Sequence, residues 1–181
     1  SFQLYQELGL RGEVNFPAFE QALKGFSRYA SGQDRLLVLI DYTKPSTEKR
    51  FYILDLLQKK LLLSTYVAHG RGSGDNYAVA FSNRPGSYQS SLGFFRTGDT
   101  YMGKNGYSLF LDGLEKGIND KARERAIVVH GANYADPAVL KGQQRLGRSL
   151  GCPALPPDIS KQVIDTIKGG VLLYIYGLNK A

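Results

Sequence analysis

The sequence predicts a mainly β, α+β fold: a mostly antiparallel β core with short helices and an N-terminal helical segment packed on it. Three observations point there. Eight stretches of strand length, rich in Leu, Val, Ile, Tyr and Phe, recur between residues 35 and 176, which is the composition a pleated, half-buried surface favours. Gly or Pro-Gly separates most of them, and twenty-one glycines in 181 residues, against an ordinary usage of ~7%, fit many tight connections. Helical spacing is confined to the first thirty residues and two short later segments.

The elements follow in order. From Phe16 the apolar positions Phe19, Leu23, Phe26 and Tyr29 recur at three- and four-residue steps and draw one helix face. Asn15 stands at the cap position, and Pro17 falls in the first turn, where its missing N–H costs nothing. Ser31-Gly32-Gln33-Asp34 breaks the pattern. Strands are expected at 35–42, 49–57, 60–68, 77–81, 87–97, 107–111, 126–130 and 171–176. A short helix is expected at 119–125. Another is expected at 157–168, with Ile159, Val163, Ile164 and Ile167 on one face and Gly169-Gly170 as its stop.

Composition narrows the function. Twenty-three Lys and Arg against sixteen Asp and Glu leave +7, which suits an anionic partner. No helix-turn-helix or aromatic RNP-like pattern accompanies the charge, so no nucleic-acid partner is expected. No apolar run approaches the ~18 residues of a membrane span, so no stable membrane insertion is expected. The chain opens on Ser-Phe-Gln-Leu-Tyr, without a signal peptide, which is consistent with a processed or trimmed start. With Cys152, His69 and His130 as the only cysteine and histidines, a four-ligand Cys/His zinc site is excluded and no metal is expected.

Two motifs mislead. Gly70-Arg71-Gly72-Ser73-Gly74 has neither GxGxxG spacing nor a GK[ST] ending, so it reads as a hairpin loop and not as a phosphate cradle. Gly147-Arg148-Ser149-Leu150-Gly151 matches a nucleophile elbow. However, Pro153, Pro156 and Pro157 forbid the helix that must follow it, and both histidines precede the serine. Cys152 with His130 is different. A lone cysteine is commonly a small buried hydrophobe, yet this one lies between Gly151 and Pro153, outside any apolar run. Gly151 and Cys152 offer backbone N–H groups as oxyanion donors. His130 closes the run Ala126 to Val129 at a strand's mouth and is followed by Gly131.

Taken together, His130-Gly131 followed by Ser149-x-Gly151-Cys152 resembles the signature of the L,D-transpeptidase catalytic-domain family. Val67 to Gly74, Phe81-Ser82-Asn83, Ser90 to Gly93 and Gly147 to Leu155 extend the resemblance to a subfamily with an SxGCPAL-type nucleophile motif. It covers residues 33–181 as a catalytic domain, with 1–32 as the helical segment packed on it. The commonest form of the motif has His before the glycine. Leu150 stands there in this chain, leaving no second imidazole beside the thiol.

The resemblance implies a peptidoglycan L,D-transpeptidase in the cell envelope, its signal peptide removed. Cys152 is then the nucleophile and His130 the base, with the Gly131 carbonyl orienting the imidazole in place of a carboxylate, although Asp112 and Asp136 stay open as orienters. The thiol attacks the diamino acid–D-Ala bond of a stem tetrapeptide, D-Ala leaves, and an amine acceptor takes the acyl group in a 3-3 cross-link. Carbapenems are expected to acylate the thiol, and no cofactor is needed. A free thiol of pKa ~8.5 is mostly protonated at neutral pH, so thiolate–imidazolium pairing is expected. Substrate contacts are expected from Ser149, Arg148, Asn83, Tyr101 and Tyr107, the two tyrosines flanking Met102 to Gly106 as a lid. Arg71, Arg84 and Lys104 are further cations for substrate carboxylates. The alternatives are an L,D-carboxypeptidase hydrolysing the same acyl-enzyme and a non-catalytic wall-binding module. A monomer is expected.

Overall fold

The computed structural model describes residues 1–31 and 34–180. Two helices, α1 (Phe2–Glu7) and α2 (Phe16–Tyr29), precede an eight-stranded sheet. Its strands are β1 (Leu36–Asp41), β2 (Phe51–Asp55), β3 (Lys60–Thr65), β4 (Gly93–Gly103), β5 (Gly106–Gly113), β6 (Val128–Gly131), β7 (Ala154–Leu155) and β8 (Leu172–Tyr176). The spatial order is β3-β2-β1-β8-β4-β5-β6-β7. Five neighbouring pairs are antiparallel, while β1/β8 and β6/β7 are parallel. The fold is the mostly antiparallel β core that the composition predicts.

Both faces of the sheet are covered, which explains the unbroken Leu-Leu-Val-Leu-Ile of β1. Leu37 and Leu39 join Phe19, Ala22 and Leu172 under α1 and α2. Val38 and Ile40 point the other way, into a cluster with Val163, Ile164 and Ile167 of α3 (Pro157–Ile167). Pro17 occupies the first turn of α2 as expected, but Asn15 does not cap it with its side chain. Its Nδ2 donates instead to Asp41 Oδ2 at 2.8 Å, tying the helix start to the end of β1.

Several boundaries depart from the sequence reading. Residues 77–81 form no strand, because the Val79 and Ala80 N–H groups both turn onto the Ser73 carbonyl. Gly70 to Gly74 is therefore not a hairpin loop but a short 3-10 turn, Arg71–Ser73, pressed against the segment 87–90. The strand expected at 87–97 starts only at Gly93 and runs on to Gly103, where β5 gives it a partner. Residues 119–125 make turns and no helix. Asn119 is fully buried, and its amide accepts from Glu115 N–H and donates to the Leu92 and Phe94 carbonyls. A side chain so committed to backbone partners competes with helix formation. The Gly32-Gln33 break, and with it the boundary between 1–32 and 33–181, lies outside the described residues.

The N-terminal segment shares a core with the sheet, and Phe19 is fully buried at that junction. Phe19→Ala should therefore lower the unfolding free energy by about 3–5 kcal/mol in urea titration. A loss below about 1 kcal/mol would mean that the segment rides on the domain without stabilising it.

Candidate active site

The parallel ladder between β6 and β7 assembles the site. His130 pairs with Ala154 and Gly131 with Leu155, so the histidine at the end of β6 lies beside the chain leaving Cys152. Residues 147–152 approach this ladder as a loop fixed at several points. Gly147 N–H donates to the Tyr134 carbonyl, Ser149 N–H to the His69 carbonyl, and Arg71 N–H to the Ser149 carbonyl. The loop is tightened from inside by Ser149, whose Oγ donates to the Cys152 carbonyl at 2.6 Å and accepts from Gly151 N–H at 3.1 Å. Gly151 itself has φ +127°, a conformation that strains any residue with a Cβ. Gly70 approaches so closely that a Cβ there would sit 2.9 Å from the Gly151 Cα.

His130 is held by one contact. Its Nδ1 lies 2.9 Å from the Gly131 carbonyl oxygen. A carbonyl only accepts, so Nδ1 carries the proton and Nε2 keeps a free lone pair for base work. The two carboxylates that the sequence left open as orienters are engaged elsewhere: Asp112 with Arg123, and Asp136 with Ala138 N–H.

Burial sets the protonation of the pair. Cys152 is 9% exposed and His130 3%. Desolvation pushes the thiol above its ordinary range, only partly offset by the Val128 N–H and by the charges of Arg125 and Lys104. Desolvation likewise holds the imidazole below its ordinary value, with the Gly131 contact opposing it. Both shifts favour the neutral form. Both directions oppose charge separation at rest, whereas the sequence reading expected a thiolate–imidazolium pair. The thiol agrees: Sγ donates to the Ala126 carbonyl and accepts from Val128 N–H, each at 3.4 Å.

Cys152, His130, Arg148 and Ser149 line one cleft of about 520 Å³ together with Tyr134 and Leu150. Leu150 is 53% exposed, so an apolar side chain forms the rim where the commonest motif has an imidazole. Tyr101 and Tyr107 lie elsewhere. Tyr101 stacks on Phe110 at 4.3 Å, and the Tyr107 hydroxyl donates to Asp165 at 2.5 Å. What the β4–β5 hairpin brings to the cleft is its tip, Lys104 and Asn105. Asn83 lines a different cavity and binds Asp120 and Lys121 N–H. The Ser149 hydroxyl is used inside the nucleophile loop, and it takes up the Gly151 N–H. Of the two expected oxyanion donors, Cys152 N–H is the one without an acceptor among the described residues.

His69 is structural. Arg50 is fully buried and donates to the Val67 and Lys44 carbonyls and to His69 Nδ1 at 2.8 Å. Nδ1 therefore accepts, and Nε2–H donates to the Gly74 carbonyl at 3.2 Å. Burial and the neighbouring guanidinium drive the imidazole down to about 3, so it stays neutral. Among the cleft residues that escaped the sequence reading are Arg125, at the end of a segment read as helix, and Tyr88, in one read as strand. Neither carries a spacing signal, because each reaches the cleft through an irregular loop. No group of three or more His, Cys, Asp or Glu among the described residues converges to hold a metal ion.

The L,D-transpeptidase catalytic domain family matches residues 10–176 of the chain. No curated protein sequence matches it. Among solved structures, the helical cell shape determining protein Pgp2 from Campylobacter jejuni is 16% identical, with a TM-score of 0.52 over 82% of this chain and 50% of its own. An L,D-transpeptidase from Mycobacterium smegmatis is 13% identical, with a TM-score of 0.48 over 79% of this chain and 59% of its own. An L,D-transpeptidase from Stackebrandtia nassauensis is 14% identical, with a TM-score of 0.49 over 98% and 76%. The chain thus spans between half and three-fifths of the length of the first two.

The neutral thiol makes a pH prediction. Iodoacetamide reacts with the thiolate, and an exposed thiol titrates near ~8.5. Because burial raises Cys152, its alkylation rate should still be climbing above pH 9. A plateau reached by pH 8.5 would mean that a thiolate is stabilised in the resting protein.

Proposed function

Because this chain belongs to the L,D-transpeptidase catalytic-domain family, we propose that it is a peptidoglycan L,D-transpeptidase acting on stem peptides in the cell envelope. The observation that carries the reading is a thiol and an imidazole lining one cleft, the imidazole held in the base-competent tautomer by the Gly131 carbonyl. The run Ser149-x-Gly151-Cys152-Pro153-Ala154-Leu155 supports placing it in a subfamily with that nucleophile motif.

The chemistry follows from the neutral resting pair. As Cys152 Sγ attacks the carbonyl of the diamino acid–D-Ala bond, its proton passes to His130 Nε2, and the negative charge gathers on the carbonyl oxygen. Cys152 N–H, free of other acceptors, is the donor for that oxyanion, since stabilisation is worth most where charge develops. His130 then gives the proton to the departing amine of D-Ala, leaving a thioester on Cys152. An acceptor amine attacks the thioester, loses its proton to His130, and the thiol is restored. Among the described residues no carboxylate lines the cleft, whereas Lys104, Arg125 and Arg148 do, a balance suited to a substrate that carries carboxylates.

The decisive test incubates the protein with tetrapeptide muropeptides and reads products by mass spectrometry. Cross-linked dimers and free D-Ala are expected when acceptor is abundant. Tripeptide alone at every acceptor concentration would make it an L,D-carboxypeptidase, and no product with intact Cys152 would leave a binding module. A carbapenem should add one adduct mass to the wild type and none to Cys152→Ala.

His130→Ala should lower kcat/KM by about 10²–10⁴, with the loss shrinking at alkaline pH as thiolate forms unaided. In the wild type the imidazole must be neutral to act, and its pKa is depressed, so the acidic limb of kcat/KM should fall below pH 6.5. A loss of equal size from pH 6 to pH 10 would assign His130 a structural role only.

A further inference from the structure

Arg125 is tied to a single segment of chain and stands beside the nucleophile loop. Its Nη1 donates to the Ser82 carbonyl at 2.9 Å and to Ser91 Oγ at 2.7 Å. Its Nη2 donates to Ser87 Oγ at 3.2 Å and to the Gln89 carbonyl at 2.8 Å. All four acceptors are neutral and lie between residues 82 and 91, so among the described residues no carboxylate offsets the guanidinium's charge. The segment has no regular structure of its own, and Arg125 supplies the fork that gathers it.

The same segment is locked from the other side to the 70–74 turn, which itself bonds the nucleophile loop through Arg71 N–H and the Ser149 carbonyl. Gly72 N–H donates to the Tyr88 carbonyl, Ser90 N–H donates to Ser73 Oγ, and Ser90 Oγ accepts from Gly70 N–H. Opposite Gly151, a Cβ would lie 3.0 Å from the Gln89 carbonyl oxygen and 3.5 Å from Arg125 Nη2. Among the described residues, two of the three non-glycine positions with positive φ, Tyr88 at +56° and Ala126 at +56°, flank this arrangement and line the cleft. Strained backbone persists where the surroundings over-determine it, and it concentrates at functional sites. Ala126 is also the residue whose carbonyl accepts from the Cys152 thiol.

We propose that Arg125 is a positioning residue of this site: its guanidinium fixes the 82–91 segment as one wall of the cleft and sets an unneutralised positive charge against the Cys152 thiol. Its role in turnover rests on the transpeptidase reading, while its effect on the thiol does not. The other titratable groups lining the cleft are His130 on β6, Lys104 at the β4–β5 tip, Arg148 in the nucleophile loop, and the Tyr88 and Tyr134 hydroxyls. Arg125 differs from the other cations here in its fourfold anchoring. Lys104 is an exposed tip residue, and Arg148 is paired with Asp75 at 3.2 Å.

The experiment compares wild type with Arg125→Gln and Arg125→Lys, reading the pH midpoint of iodoacetamide alkylation of Cys152, hydrogen exchange over 82–91, and kcat/KM for a tetrapeptide donor. Removing the charge should raise the alkylation midpoint by about half to one pH unit and speed exchange in the segment. Arg125→Lys should keep the midpoint within a few tenths of wild type but still loosen the segment. A folded Arg125→Gln protein with wild-type midpoint and wild-type exchange overturns the proposal. If that variant does not fold, Ser87→Ala with Ser91→Ala removes two anchors and keeps the charge. Unchanged exchange over 82–91 together with unchanged KM in that double variant then overturns the positioning role. Alkylation and exchange need no peptidoglycan, so failure of the transpeptidase reading abolishes only the third readout.

Discussion

The pairing of His130 with Ala154 across the parallel β6–β7 ladder is the constraint on which the site depends. It sets an imidazole at the end of one strand beside a thiol at the entry to the next. β7 is only two residues long, too short to hold its register alone. The register is held from outside, by the bridge between Ala68 and Ala154 and by the hydrogen bonds that fix Ser149 to His69 and Arg71. Arg50 and His69 lie beneath those contacts as a buried, fully bonded pair. A buried guanidinium without its acceptors would be costly, so the base of the site resists rearrangement.

Burial then decides the chemistry available at rest. In water a thiol and an imidazole are poised within about two units of each other. In this cleft desolvation moves the thiol up and the imidazole down, widening that gap in the direction that keeps both neutral. On the proposed reading the reactive thiolate is formed in the step that uses it, with His130 taking the proton as the new bond forms. This arrangement also limits the reactivity of the single cysteine toward oxidants, because oxidation follows thiolate character and exposure.

The cleft walls have a common logic. The 82–91 segment and the nucleophile loop have no regular structure of their own, and both are fastened by specific hydrogen bonds: Arg125 on the first, and backbone bonds with the Ser149 hydroxyl on the second. The sheet behind them is sealed on both faces by helices, so the site is carried on a rigid support while its walls are set by a small number of polar anchors. Loss of one anchor therefore acts on the site before it acts on the fold.

The sequence by itself determined the β core and both main helices, because those features are written in local spacing as apolar runs and a helical stripe. The nucleophile and base candidates came from the resemblance of His130-Gly131 and Ser149-x-Gly151-Cys152 to a known signature. The helix expected at 119–125 failed because Asn119 bonds the Leu92 and Phe94 carbonyls far back along the chain, which local propensity cannot register. The strand at 77–81 failed because the Val79 and Ala80 N–H groups fold back onto the Ser73 carbonyl in an irregular turn. Tertiary structure alone decided which residues meet in the cleft. Tyr101 and Tyr107 looked like a lid by their neighbours, yet their rings pack on Phe110 and hydrogen-bond to Asp165, and the hairpin offers Lys104 and Asn105 instead. Arg125 had no sequence signal at all. Its place beside Cys152 comes from a left-handed turn at Ala126 and from four acceptors in a loop some forty residues upstream, contacts that exist only once the chain has closed on itself.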